Sequence, residues 1–418
     1  MPSALDAFVA LFALTTFNRE LRLFGLDLRY VVVALAVLLI VRSLRRGGPA
    51  QGDRPAAGVV RPWDLWLLYA LMLASNVSWL WNGLPLNQDQ FLNLMILNLS
   101  NLLYSIVFWR YRGAIDPVKV IRASLLSAVI CVASMLWVYV GNELPAFLHD
   151  AGVRAGNVGS ELHVNLFGQE SRSAGFAEDA NYASLFCMIG AALACAHYGP
   201  GTLMRGGLLM LFLFGYAISF SKTLLFGTAF CVVVLLARAC ARESWGAWAW
   251  ATVVAAAVLS LFALSEIPLL QSNLSMATRF HFWDVARGLF LDNPVLGGGL
   301  SSVRSAIDVA SSSGWYVQCH STFWQVLSEH GLPALVLLCI LLSRRLAAAR
   351  TWWQVFVVAQ LVVLCMTTET MYQQFFVYIT CALPLVFAVE PAALVHVGRL
   401  SRPSARVRSC SIRKGVWT

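Results

Sequence analysis

Two runs of sequence, SMATRFHFWDVARGLFLDNPVLGGGL (residues 275–300) and CHSTFWQVLSEHGLP (residues 319–333), decide how this chain is read. Together they frame the long polar interval of an otherwise apolar second half, and the stretch from 275 to 333 that they bound holds Arg279, His281, Arg287, Arg304, His320 and His330. Everything around them is too apolar to face water. With 59% hydrophobic and 12% charged residues, the chain lacks the polar surface to cover a soluble globule of 418 residues. The expectation is an all-α polytopic membrane protein, with water-facing chemistry confined to a few segments.

A membrane span takes roughly 20 apolar residues. On that measure about twelve helices are expected, near 4–17, 28–44, 63–81, 91–109, 120–141, 179–198, 203–219, 222–240, 246–266, 321–346, 352–368 and 374–395. The first apolar stretch has no basic region ahead of it and no small-residue cleavage site after it, so it reads as a retained helix rather than a signal peptide. Residues 1–400 form one transmembrane domain in this reading, with an outer loop at 267–320 between the ninth and tenth helices. Residues 401–418 are a basic cytoplasmic tail.

Charge sets the orientation. Arg42, Arg45, Arg46, Arg110, Lys119, Arg122, Arg205, Arg238, Arg242, Arg344 and Arg345 fall in alternate short connections, which places those connections inside. The first outer hairpin, with Arg19, Arg22 and Arg29, is the exception. The net charge of +9 is dispersed in these short clusters, which argues for membrane topology and against nucleic acid as a partner. The cysteines lie singly in apolar runs and act as small hydrophobes. No metal-ligand spacing appears, so neither a metal nor another cofactor is expected.

Three outer-face features carry candidate chemistry. At Ser171–Tyr182 a helix is expected to begin around Glu178–Asn181, where acidic and amide side chains suit the unpaired N–H groups, and Arg172 beside that helix start suits an anion. At Ser219-Phe-Ser-Lys222, Lys222 reads either as a cation snorkelling to headgroups or as a second charge for the same anion. In the long interval, Arg279, Trp283 and Arg287 are spaced four apart and share one face if helical. Gly297-Gly-Gly299 reads as a plain turn in preference to a phosphate cradle, since no Walker pattern surrounds it. His320, beside Ser321-Thr322 at the re-entry to the membrane, is placed to act as a base near neutral pH.

The ordered set of Arg172-Ser-Ala-Gly175-Phe with Asn181, Ser219-Phe-Ser-Lys222, Arg279 with Trp283, Asn293-Pro-Val-Leu-Gly297-Gly-Gly-Leu, and His320 with Glu329-His-Gly331 resembles the O-antigen ligase and O-antigen polymerase superfamily of bacterial membrane glycosyltransferases. The resemblance covers roughly the second half of the chain. It implies an inner-membrane enzyme with a periplasmic site and an undecaprenyl-diphosphate-linked glycan as donor. The implied acceptor is a sugar hydroxyl of another glycan or of lipid A core, attacking with inversion and without a metal. Arg172, Arg279 and Lys222 are then expected at the diphosphate, with His320 and Arg279 catalytic and Arg287, Arg304 and Glu329 as supporting candidates. Two departures stand out: Lys222 where the family commonly has Arg, and Ser321 where the ligase branch usually has Asn. Glu178-Asp179 beside Asn181 leans toward polymerases. A transporter without catalysis is the alternative, although its charges would be expected inside the bundle near the midplane.

Overall fold

The computed structural model describes residues 3–23, 26–45, 63–78, 88–141, 161–165, 168–177, 179–219, 221, 227–232, 234–236, 247–264, 274–311, 319–349 and 351–387. Lys222, Glu178 and the tail at 401–418 lie outside these residues, as do 267–273 and 312–318 of the expected outer loop. The architecture is a helix bundle with two small antiparallel ribbons, β1 (Arg22–Leu23) with β2 (Leu26–Asp27), and β3 (Glu161–Asn165) with β4 (Gly168–Arg172).

The helices fall where apolar runs demand them. They are α1 (Ala4–Phe17), α2 (Leu28–Arg45), α3 (Trp63–Ala74), α4 (Gln88–Arg110), α5 (Pro117–Gly141), α6 (Ala180–His197), α7 (Leu203–Ser219), α8 (Ala247–Leu264), α9 (Leu274–Asp292), α10 (Ser302–Ser311), α11 (Thr322–Ala348) and α12 (Trp352–Thr367). A final helix starts at Gln374–Val377, widens into a π turn over Tyr378–Ala382 and resumes at Leu383–Phe387. Among the described residues four helices, α4, α5, α6 and α11, are long and apolar enough to cross a bilayer by length and composition alone. The apolar helices α1, α7 and α12 are shorter, at 14, 17 and 16 residues. The chain is therefore membrane-embedded.

Packing rests on close approach of small residues and on rings. A Cβ on Gly215 of α7 would come within 2.9 Å of both Cys187 and Val132, and one on Gly190 of α6 within 2.7 Å of the Phe212 ring. Such small residues let α5, α6 and α7 press together where apolar burial against lipid supplies no drive. Across α1 and α4, Phe8 and Phe12 lie edge-on or tilted to Tyr104 and Phe108, with centroids 4.8–6.2 Å apart. Asp6 in the first turn of α1 holds Lys119 in the first turn of α5 at 2.8 Å, so these two helices start at one end of the bundle.

The polar interval is not a plain loop. It folds as α9 and α10, and its glycine turn docks on a break in α11. Gly331 in that helix has φ 79°, and Pro333 follows, so hydrogen bonding fails there. The Asn293–Leu300 turn supplies what is lost. Gly298 and Gly299 donate their N–H groups to the carbonyls of Ser328 and Glu329 at 2.8 and 2.9 Å, while Leu332 donates to Pro294 at 2.9 Å. Gly297 is held at φ 69°, and a Cβ there would lie 2.3 Å from the Glu329 carbonyl carbon. The triple glycine thus spends two of its amides on a broken helix, which agrees with a turn and rules out those two amides as a phosphate cradle.

Candidate active site

Glu369, in the short connection after α12, is the node of the polar end of the bundle. Its carboxylate is buried and pairs with the guanidinium of Arg304 from α10, itself buried. The other carboxylate oxygen accepts the Cys319 N–H at 2.7 Å, and the backbone carbonyl accepts the Tyr182 hydroxyl of α6 at 3.0 Å. Three stretches far apart in sequence are joined through one residue. Removing one partner of a buried pair of this kind costs on the order of 3–5 kcal/mol.

His320 stands directly beside this node. The preceding carbonyl, Cys319, accepts the indole N–H of Trp283 at 3.1 Å, and the His320 ring stacks on Phe282 at 6.3 Å, so α9 holds the residue from one side. From the other side, α11 begins at once, with Ser321 as its N-cap accepting from the Trp324 N–H. Thr322 locks that first turn to the Glu369 connection, donating to the Thr368 carbonyl at 2.7 Å and accepting the Thr370 N–H at 2.8 Å. Squeezed between these anchors, His320 adopts φ 53°, a left-handed conformation that costs a non-glycine residue on the order of 1–3 kcal/mol. A glycine would relieve that cost but would supply no imidazole.

The electrostatics follow from the same neighbours. Burial first, and then the Arg279 guanidinium, push the His320 imidazole down to about 4, with Glu369 opposing. The ring is therefore neutral at physiological pH and able to accept a proton. Arg279 lies in α9 and reaches the Thr367 carbonyl at the end of α12 at 3.5 Å. Arg279, Arg304, Glu369 and His320 accordingly act on one another at one end of the bundle.

The two upstream motifs meet at that end. Asp179 caps α6, accepting the Asn181 N–H at 2.6 Å, which places the helix start where its acidic and amide residues suggested. Ser221 donates to the Asn181 side-chain oxygen at 2.7 Å, and Ser184 and Ser219 share a hydrogen bond, so the Ser219–Ser221 stretch abuts the α6 start. Arg172 ends β4 opposite Glu161. The next residue, Ser173, is stitched to α7 and α5 through Ile218 and Met135. Tyr182, one residue after Asn181, carries the connection on to Glu369.

Two expected placements differ. Arg279, Trp283 and Arg287 do not share a face: Trp283 is buried but Arg287 is exposed, because two steps of four residues drift by roughly 80° around a helix with 3.6 residues per turn. Arg287 therefore faces away from the packed side of α9. Glu329 is fully buried within α11 and accepts the Tyr372 hydroxyl at 2.5 Å. The neighbouring His330 is equally buried, with Ser75 at 2.6 Å and Tyr372 at 3.1 Å. Glu329 and His330 thus belong to an internal polar knot under the glycine turn. Glu369 and Tyr182 were not singled out by sequence reasoning. The available signal was an acid, Glu369, standing between two expected apolar helices, 352–368 and 374–395.

Residues 185–339 match the family model described as O-antigen ligase. The matched segment runs from α6 to the middle of α11 and so contains the Ser219–Ser221 stretch, Arg279, Arg304 and His320. No curated protein matches the chain. Over that segment, rather more than a third of the chain, the sequence is similar to the O-antigen ligase family.

Proposed function

We propose that the chain transfers an undecaprenyl-diphosphate-linked glycan to a sugar hydroxyl on the periplasmic side of a bacterial inner membrane, in surface-polysaccharide synthesis. The observation that carries this reading is a neutral imidazole, His320, in a costly backbone conformation beside Arg279 and a buried Arg304–Glu369 pair. In the proposed step the acceptor oxygen attacks the anomeric carbon as its proton passes to the His320 imidazole. The bond from that carbon to the lipid diphosphate breaks with inversion, and the diphosphate leaves with the electron pair. Arg279 and Arg172 stabilise that developing charge, with Lys222 as a helper. Charge-assisted donors aimed at a leaving oxyanion are worth about 10²–10³ in rate. Protein side chains suffice for these roles in this scheme, which calls for no metal.

Between the two acceptor classes we favour a second lipid-linked repeat, the polymerase reaction, over lipid A core. This rests on the acidic residues ahead of Asn181, of which Asp179 serves as the α6 cap. Ser321 in place of Asn carries no weight against a ligase, because Ser and Asn cap helices about equally well. A glycolipid profile of a deletion strain separates the two. The polymerase reaction predicts a single capped repeat on the cell surface, whereas accumulation of unattached polymer on its lipid carrier would overturn it in favour of ligation.

A further inference from the structure

Outside the site just described, a cleft opens between α1, α2, α4 and the connection at 372–375, leaving about 820 Å³ between atoms, part of it open to solvent. Its walls are mostly apolar, with Val33, Ile96, Leu97, Phe186 and Phe375. Set among these are the rings of Tyr30 and Tyr104 and the amides of Asn93, Gln373 and Asn101, the last donating to the Met371 carbonyl at 3.4 Å. Amides hydrogen-bond hydroxyl groups, and aromatic rings cover the apolar faces of a sugar, so the lining has carbohydrate chemistry. Arg19 and Arg29 also reach it, and they are the residues that break the charge rule in the first outer hairpin.

Both arginines are engaged by the protein itself. Arg29 holds the Asp27 carboxylate through its Nε–H at 2.8 and 3.0 Å, and Arg19 donates to the Gln373 side-chain oxygen at 2.7 Å. Their charge is therefore partly answered, which suits a hydroxyl-rich neutral ligand better than an anionic headgroup. The hairpin lies at the active-site end of the bundle, since Glu20 donates its N–H to the Phe176 carbonyl at 3.0 Å. Two further lining residues, Tyr182 and Tyr372, point their hydroxyls at the Glu369 carbonyl and the Glu329 carboxylate. One layer of tyrosine thus separates this cleft from the candidate active site.

We infer that the cleft is a second carbohydrate site, holding sugar units of a glycan chain beside the reaction centre. The substrate class rests on the glycan-transfer reading, but the site can be tested by binding alone. The full chain in nanodiscs is titrated with lipid-free oligosaccharides released from the source cell's own surface polysaccharide. Asn93→Trp fills the cleft from an exposed position on α4, and Gln373→Ala removes an amide from its wall. The expected result is a tenfold or greater loss of oligosaccharide affinity in both variants, with Arg279→Ala binding as the unmodified chain does. Equal affinity in Asn93→Trp, or no binding by the unmodified chain, would overturn the inference. So would occupancy that follows the phosphatidylglycerol content of the nanodisc instead of the sugar. Full transfer activity in Arg279→Ala would instead count against the proposed chemistry while leaving the carbohydrate site standing.

Discussion

The bundle carries a buried arginine–carboxylate cluster at each end, and the two are built differently. At one end Asp64, in the first turn of α3, faces Arg344 and Arg345 in the last turns of α11 at 3.1 and 3.6 Å, with Arg344 also over the Trp63 ring. At the other, Arg304 meets Glu369 near the start of the same helix. About 22 residues of α11 separate them, roughly 33 Å at the helical rise. The Asp64 cluster sits on regular helix ends and neutralises charge where α3 and α11 pack. The Glu369 cluster joins three chain segments and adjoins a histidine at positive φ, a second arginine and a helix break. A buried ion pair alone argues for packing. A buried pair beside a strained, neutral titratable group argues for chemistry.

That contrast predicts which substitutions harm turnover and which harm only the fold. After His320 itself, the largest expected effect on rate is at Arg279. Arg279→Ala should reduce transfer in proteoliposomes by about 10²–10³ with membrane insertion intact. Arg279→Lys should remain badly impaired, since a point charge does not reproduce a planar fork. Activity restored by Lys would show that positive charge suffices. At the opposite end, Asp64→Ala should cost on the order of 3–5 kcal/mol by leaving the buried Arg345 uncompensated. It should lower the thermal midpoint in detergent while leaving kcat per folded molecule unchanged. A comparable loss of kcat would erase the distinction between the two ends.

Smaller effects sharpen the comparison. Because burial and Arg279 depress His320, its imidazole stays neutral until pH falls toward about 4. The acid limb of kcat/KM should therefore appear near 4, with no inflection near the ordinary histidine value of about 6.5. At Ser321, Ser321→Ala should cost about 1 kcal/mol through loss of the α11 cap, and Ser321→Asn should be nearly neutral in stability and turnover.

Most helices were legible because apolar length is a local property: the expected 4–17, 203–219 and 352–368 reappear as Ala4–Phe17, Leu203–Ser219 and Trp352–Thr367. The α6 start was legible too, since Asp179 and Asn181 are cap residues by their own chemistry. Glu369 was not, because its meaning comes from Arg304 and Cys319, 65 and 50 residues away. The docking of the glycine turn on α11 was hidden for the same reason. Gly331 and Pro333 announce a break, but only the fold shows that Gly298, Gly299 and Pro294 repair it. The first hairpin's arginines contradicted a rule of topology until Asp27 and Gln373 were seen to hold them. Arg287 was misplaced by treating an i, i+4, i+8 series as a straight stripe.

The central claim is that His320 takes the acceptor proton at this end of the bundle. It is tested most directly by comparing the unmodified chain with His320→Ala in proteoliposomes supplied with an undecaprenyl-diphosphate-linked repeat, measuring donor binding and transfer in the same preparation. The account predicts transfer lower by about 10²–10⁴ with donor affinity within a few-fold of the unmodified chain. Transfer at an undiminished rate would contradict it.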